Sequence, residues 1–95
     1  MSFLDPTFVK IILELNKKGG LTKEEIATIV DEKFPYISKR ERDRALYGAN
    51  NYAKILEKCG YAIRLNYKGG YTLQITKKGE KVAKGLKESE KNESS

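Results

Sequence analysis

Residues 38–76 read SKRERDRALYGANNYAKILEKCGYAIRLNYKGGYTLQIT, and their apolar residues change from helical to strand-like spacing at Gly60. Ser38 and Glu41 form a capping box, which predicts the start of a long helix that ends at Cys59-Gly60. The residues three or four apart that form its inner stripe are Leu46, Ala49, Ala53 and Leu56. The first half of this stretch therefore predicts one long amphipathic helix.

Two strands joined by a hairpin are predicted after Gly60. Tyr61, Ile63 and Leu65 alternate with Ala62, Arg64 and Asn66, and the alternating residues of the second strand are Tyr71, Leu73 and Ile75. The segment 66–70 between the strands contains two glycines, which is typical of a hairpin loop.

Helices precede and follow this stretch. Asp5-Pro6 predicts the start of a first helix, because an N-cap acceptor is followed by proline, and Gly19-Gly20 ends it. The capping box Thr22–Glu25 predicts a second helix that continues to about Lys33. Thr76 is the predicted cap of a last helix.

This order of elements predicts an α+β fold, mostly α. Two short helices joined by a tight turn before a third indicate a helix-turn-helix, so the specific expectation is a winged helix-turn-helix with three helices, a two-stranded β-hairpin wing and a C-terminal helix. We expect this domain to cover residues 1–86. The polar segment 87–95 has no apolar residue, and we expect it to be a frayed or disordered tail.

Composition excludes several kinds of site. The 95 residues suffice for one domain and contain one Cys and no His. A Cys/His zinc site, a Ser-His-Asp triad and a Cys-His pair are therefore excluded within one chain. We expect no catalytic residues, no metal, no cofactor and no enzyme activity. The sequence has neither a signal-peptide pattern nor an apolar run of about 20 residues, so we expect a cytoplasmic protein that does not contact membranes.

Positive charge is concentrated in the middle of the chain. The net charge is +6, and residues 39–81 alone carry eleven Lys or Arg against four acidic residues. A basic region confined to one part of a small domain is typical of a protein that binds a polyanion. A solvated, lysine-rich surface is the alternative interpretation.

One face of the long helix combines cations with polar side chains. Steps of 100° per residue place six residues within about 80° of one another, opposite the core. These residues are Arg40, Arg44, Tyr47, Asn51, Lys54 and Lys58. Lys and Arg neutralise phosphates, and Asn and Arg are able to read base edges in the major groove.

We therefore predict a DNA-binding surface on the long helix and the hairpin. Its residues on the helix are Lys39, Arg40, Arg42, Arg44, Tyr47, Asn50, Asn51 and Lys54, and those on the hairpin are Arg64, Tyr67 and Lys68. Gly48 lies within the helix, where glycine costs about 1 kcal/mol relative to alanine. Close approach of a partner explains this glycine, and so does helix–helix packing.

Two passages resemble known DNA-binding proteins. Residues 71–80, YTLQITKKGE, look like the passage that closes the wing in many winged helix-turn-helix regulators. Arg44–Tyr47 and Leu56–Tyr61 resemble a run of the PadR-like group. Small archaeal winged-helix proteins, among them the DNA-binding adaptor of an archaeal plasmid partition system, look similar in size and layout. The segment from Ser38 to Gly60 is longer than the PadR-like recognition helix, so the contact residues above are chosen by helix geometry.

The leading hypothesis for function is a sequence-specific double-stranded DNA-binding homodimer that regulates transcription, with repression by occlusion. The second is a DNA-coating or centromere-binding protein of a plasmid partition or chromatin-like system that spreads along DNA. A third hypothesis is a winged helix that binds RNA or another protein. The first two hypotheses predict that the protein is associated with the cell's DNA.

Surplus apolar residues predict where two copies meet. Val9 and Leu13 lie off the core face of the first helix, and a homodimer interface is expected between the first and last helices through Val9, Leu13, Val82 and Leu86. Cys59 beside a helix C-cap is interpreted as a small apolar residue, with an interchain disulfide as the alternative.

Overall fold

Residues 5–94 are described by the computed structural model, with side chains to residue 88. The fold of this part is α+β and mostly helical. Its elements are α1 (Pro6–Lys18), β1 (Gly20–Thr22), α2 (Lys23–Val30), α3 (Lys39–Lys58), β2 (Ala62–Tyr67), β3 (Gly70–Ile75) and α4 (Lys77–Ser94). None of the helices in this range is long and apolar enough to cross a membrane.

Side-chain caps begin the helices where the sequence predicted them. The Asp5 carboxylate accepts from the Thr7 N–H at 2.8 Å, and the Thr22–Glu25 capping box is complete, with bonds of 2.9 and 3.2 Å. Ser38 Oγ accepts from the Glu41 N–H at 3.2 Å, but the Glu41 carboxylate accepts from the Ser38 hydroxyl instead of the Ser38 backbone. Thr76 Oγ1 accepts from the Gly79 N–H at 3.1 Å.

Two helix ends differ from the prediction. α2 ends at Val30, because Asp31 adopts an extended conformation and its carboxylate accepts a hydrogen bond from the Lys33 N–H at 3.0 Å. This turn redirects the chain before the predicted end at Lys33. α4 continues to Ser94, past the boundary expected at residue 86 and through the segment expected to be frayed or disordered. Lys and Glu dominate this segment, and both have good helix propensity.

The sheet has three antiparallel strands in the order β1-β3-β2, where two were predicted. Gly19, with φ of 85°, ends α1 in the left-handed region and lets the chain turn into β1. β1 pairs with β3 with Leu21 opposite Leu73. The hairpin between β2 and β3 is a two-residue turn, Lys68-Gly69, and is tighter than the predicted loop 66–70.

The core is formed by the four helices and the inner face of the sheet; α4 packs on α1 and contributes Ala83. Its largest fully buried side chains are Ile11, Ile12, Leu15, Leu21, Ile26, Leu56 and Leu73. α3 contributes mainly alanines, with Ala45 buried in place of the predicted Leu46, which is only half-buried. Small residues on α3 let α2 pack closely against it: a Cβ added at Gly48 of α3 would lie 3.2 Å from Cγ1 of Val30 in α2. Helix–helix packing therefore accounts for this glycine.

The alternation in β2 is present, but its large apolar residues face outwards. Ile63 is 55% and Leu65 48% exposed, whereas Ala62 is buried against the helices. The inner side of the strand also holds Arg64, whose guanidinium stacks on Tyr71. Of the apolar residues of β2, only Ala62 therefore faces the core.

Candidate nucleic-acid interface

The first turns of α3 project beyond the core. All side chains from Lys39 to Arg44 are exposed, and the first buried residue of the helix is Ala45. Four cations predicted to bind DNA lie in this projecting end: Lys39, Arg40, Arg42 and Arg44. An α-helix with its side chains is about 10–12 Å wide, which matches the width of the major groove.

The predicted stripe continues along the exposed side of α3. Tyr47 is 68% exposed, and Asn51, Lys54 and Lys58 are exposed as well. Within the part of the chain whose side chains are described, the cations of this stripe make no ion pair; the three pairs found there involve Lys18 and Arg64. The stripe therefore presents its positive charge to solvent.

An open concavity of about 380 Å³ lies between α3 and the β2–β3 hairpin. Its lining comes from α2, α3, β2 and β3 and consists of Lys23, Tyr47, Asn50, Asn51, Lys54, Arg64, Gly70 and Tyr71. None of these described lining residues is acidic.

No protein-family model matches the chain, and a search of curated proteins finds no similar sequence.

Lys23 is a member of this surface that the sequence interpretation did not include. It is the first residue of α2, directly after the Thr22 cap, and it lines the concavity together with Lys54. By sequence, Thr22–Glu25 indicates only a capping box. The available signal was a lysine directly after the cap of the second predicted helix.

Asn50 is already engaged within the protein. It is half-buried, and its Oδ1 accepts a hydrogen bond of 2.8 Å from the Tyr71 hydroxyl. Burial raises the pKa of Tyr71, so the hydroxyl stays protonated and remains a donor at neutral pH. Bidentate reading of adenine uses both the oxygen and the nitrogen of an Asn side chain. Asn51 is exposed and has no hydrogen-bond partner among the described side chains, whereas Asn50 holds the hairpin against α3.

Arg64 was predicted to contact DNA, but the structure ties it to the protein. Its Nε donates to Glu57 Oε1 at 2.6 Å, and its guanidinium lies 4.5 Å from the centre of the Tyr71 ring. The Arg64 side chain is 22% exposed. Its charge still lines the concavity, but its position is fixed by Glu57 and Tyr71.

The other predicted hairpin residues lie in different places. Lys68 is exposed in the two-residue turn at the tip of the hairpin. Tyr67, which is 51% exposed, pairs with Gly70 and lies on the sheet face opposite to Arg64, because successive side chains of a strand alternate. Of the predicted hairpin contacts, only Arg64 lines the concavity with α3.

Acidic residues mark the other boundary of the basic surface. Arg44 and Ala45 line a second concavity, of about 360 Å³, together with Val30, Asp31, Glu32 and Glu41. A polyanion that contacts the stripe therefore meets repulsive charge on the α2 side of α3. This asymmetry favours an approach centred on Tyr47, Asn51 and Lys54.

Proposed function

We propose that this protein is a winged helix-turn-helix protein that binds double-stranded DNA sequence-specifically and regulates transcription as a homodimer. The observation that carries the proposal is the exposed stripe of α3, which combines Arg40, Arg44, Lys54 and Lys58 with Tyr47 and Asn51. A solvated lysine-rich surface has no need of a helix end that projects beyond the core.

Different residues of this surface have different roles in the proposal. Lys54, Lys58 and Lys23 neutralise phosphates, which supplies affinity for any sequence. Arg44 and Asn51 reach base edges in the major groove and supply specificity. Lys68, at the tip of the hairpin, contacts the backbone beside the groove that α3 occupies.

The fold supports the proposal in two ways. The tight arrangement of α2 and α3, with Gly48 against Val30, is consistent with a helix-turn-helix pair. The β2–β3 hairpin follows α3 directly and is joined to it through Tyr71 and Asn50, as a wing beside a recognition helix.

The homodimer is proposed to form through α1 and α4. Val9 and Leu13 on α1 and Val82 and Leu86 on α4 are half-buried. Leu13, Val82 and Leu86 pack partly against the chain's own core, and a second copy would cover the part of each side chain that stays exposed. A two-fold dimer presents two recognition helices to half-sites about one helical turn of DNA apart. Occupation of such a site represses transcription by occlusion.

The test compares two double variants with the same loss of charge. Arg44→Ala/Lys54→Ala removes two cations from the stripe, and Lys77→Ala/Lys84→Ala removes two exposed cations from the side of α4 opposite Val82 and Leu86. Loss of a base contact and a phosphate contact weakens duplex binding by about 10-fold or more, since 1.4 kcal/mol is a factor of ten.

The control variant retains near-wild-type affinity at physiological salt, because screening confines charge effects to about 8 Å. Fluorescence anisotropy with a labelled duplex measures both, and circular dichroism checks that both fold. Equal weakening by the two variants contradicts the proposal, because binding then follows net charge and not the α3 surface.

A further inference from the structure

The outer face of the sheet carries no charged residue. Strand register places Ile63, Leu65 and Tyr67 of β2 on this face, next to Gln74, Thr72 and Gly70 of β3 and to Gly20 and Thr22 of β1. In the whole chain 34% of the residues are charged. The three large side chains of β2 are each about half exposed. This face is therefore uncharged and partly apolar, whereas the exposed surface of α3 is basic.

The adjoining edge of the sheet is open and regular. β2 is the last strand in the order β1-β3-β2, and across residues 5–94 no strand pairs with its second edge. Proteins protect such edges with lysine or proline, with a bulge or with a charge that points inwards. β2 has no Lys or Pro and an unbroken register from Ala62 to Tyr67. Its one charged residue, Arg64, points inwards, but its charge is paired with Glu57 and its guanidinium stacks on Tyr71.

We infer that β2 is a docking strand for a second copy of this chain, which adds antiparallel to β2 with Leu65 on the two-fold axis. The three-stranded sheets of the two copies then continue as one six-stranded sheet. Because the net charge of each copy is +6, two copies repel one another over most of their surfaces. The uncharged outer face at β2, with Arg64 turned inwards and paired with Glu57, allows close approach with less of that repulsion.

Charge also selects the register of this pairing. With Leu65 opposite Leu65, Ile63 lies opposite the partner's Tyr67 on the outer face, and Arg64 lies opposite the partner's Asn66 on the inner face. A shift of two residues in one direction places Arg64 opposite Arg64, and a shift in the other direction places it opposite Lys68. Like charges directly opposite one another destabilise a strand pair, so the register centred on Leu65 is favoured.

This contact is separate from the α1–α4 interface and does not rest on DNA binding. A chain with two different two-fold contacts associates beyond a closed dimer, into a row of copies. If both contacts form on DNA, the protein spreads along it, as the DNA-coating hypothesis requires.

Disulfide trapping tests the register directly. In a Cys59→Ser background, Leu65→Cys places two thiols opposite one another across the axis, with Cα atoms about 4.5–5.5 Å apart, which is within disulfide range. Thr72→Cys is the matched control, since Thr72 pairs with Leu65 on the same face but one strand further in. Its two copies are separated by three strand spacings, about 14 Å. Under mild oxidation Leu65→Cys forms a covalent dimer and Thr72→Cys does not.

A second variant gives an independent readout without oxidation. Leu65→Lys places two lysines on the axis and lowers the average mass in sedimentation at high micromolar concentration. Gln74→Lys adds the same charge to the same face away from the edge and leaves most of the association intact. Failure of Leu65→Cys to cross-link, equal cross-linking by Thr72→Cys, or a mass unchanged by Leu65→Lys would overturn the inference. DNA affinity of the α3 variants bears on the proposed function alone.

Discussion

The Tyr71 hydroxyl donates a hydrogen bond of 2.8 Å to Oδ1 of Asn50, which joins the hairpin to α3 beside the basic concavity. Tyr71 is buried and Asn50 is half-buried, so neither group is free to turn towards a ligand. The neighbouring Asn51 has no such partner among the described side chains and is exposed. Two adjacent residues of the same type therefore have different expected roles.

Asn50→Ala is expected to destabilise the fold and Asn51→Ala to alter recognition. The first leaves the Tyr71 hydroxyl without its partner, which costs about 1–3 kcal/mol in free energy of unfolding. The second changes stability by less than about 0.5 kcal/mol but reduces discrimination by about 1–3 kcal/mol at particular base pairs. Urea unfolding and competition between duplexes measure the two effects.

A double-mutant cycle with Tyr71→Phe isolates the Asn50–Tyr71 bond, and we expect a coupling of about 0.5 kcal/mol or more. A stable Asn50→Ala variant with altered base preference would show that the two roles are reversed.

Arg64→Ala and Lys68→Ala are expected to act on different properties. Arg64→Ala loses the bond to Glu57 and the stacking on Tyr71, and we expect it to cost about 1 kcal/mol of stability. Lys68→Ala is expected to leave stability unchanged and to lower the salt dependence of duplex binding by about one in logarithmic slope, because it removes the proposed phosphate contact. Glu57→Ala is the matched control, because it removes the same ion pair from the other side. A destabilised Lys68→Ala variant would argue against this division.

Two glycines of α4 are expected to respond in opposite ways to alanine. A Cβ at Gly79 would lie 2.2 Å from the Tyr61 carbonyl oxygen and 2.8 Å from Ile75 Cγ1. Gly79→Ala therefore destabilises the protein, by about 1–3 kcal/mol as is usual for overpacking. A Cβ at Gly85 meets nothing within 4 Å, so Gly85→Ala stabilises α4 by up to about 1 kcal/mol through helix propensity. Chemical denaturation of both variants is the measurement, and equal effects would contradict the packing at Tyr61.

Acid is expected to weaken the junction of α1 and α2 through Glu25. Hydrogen bonds from the Thr22 backbone N–H and from Lys18 hold the pKa of Glu25 below its ordinary value of 4.5. A carboxyl group with a lowered pKa stabilises the fold fully above its unfolded value, and this contribution is lost as the pH falls through the folded value. Glu25→Gln is thus less stable than the wild type at pH 7, and the difference narrows at about pH 3. Thermal unfolding at both pH values measures this, with Glu88→Gln as an exposed control. A difference independent of pH would contradict it.

Local signals in the sequence predict much of this fold. The helix starts at Asp5, Thr22 and Ser38 depend on residues at most three apart, so the sequence alone indicates them. β1 depends instead on pairing between Leu21 and Leu73, which are distant in the chain, and three residues are too few to show a strand period.

In the candidate site, too, local sequence patterns predict some features, and contacts between distant residues determine others. Helical steps of 100° predict the exposed stripe from Arg40 to Lys58, because position on a helix is a local property. The engagement of Asn50 by Tyr71 and of Arg64 by Glu57 depends on how the hairpin packs on α3. No periodicity in the sequence indicates these two contacts within the protein.

Binding to DNA from upstream of the protein's own gene tests whether α3 recognises a specific DNA site. Fluorescence anisotropy at ~0.15 M salt compares this duplex with a scrambled duplex and with single-stranded RNA. We expect a preference of about 10³-fold or more for the upstream duplex, with weaker, steeply salt-dependent binding to the scrambled duplex. Absence of binding to either duplex, or tighter binding to the RNA, would contradict the assignment of α3 as a DNA-recognition helix.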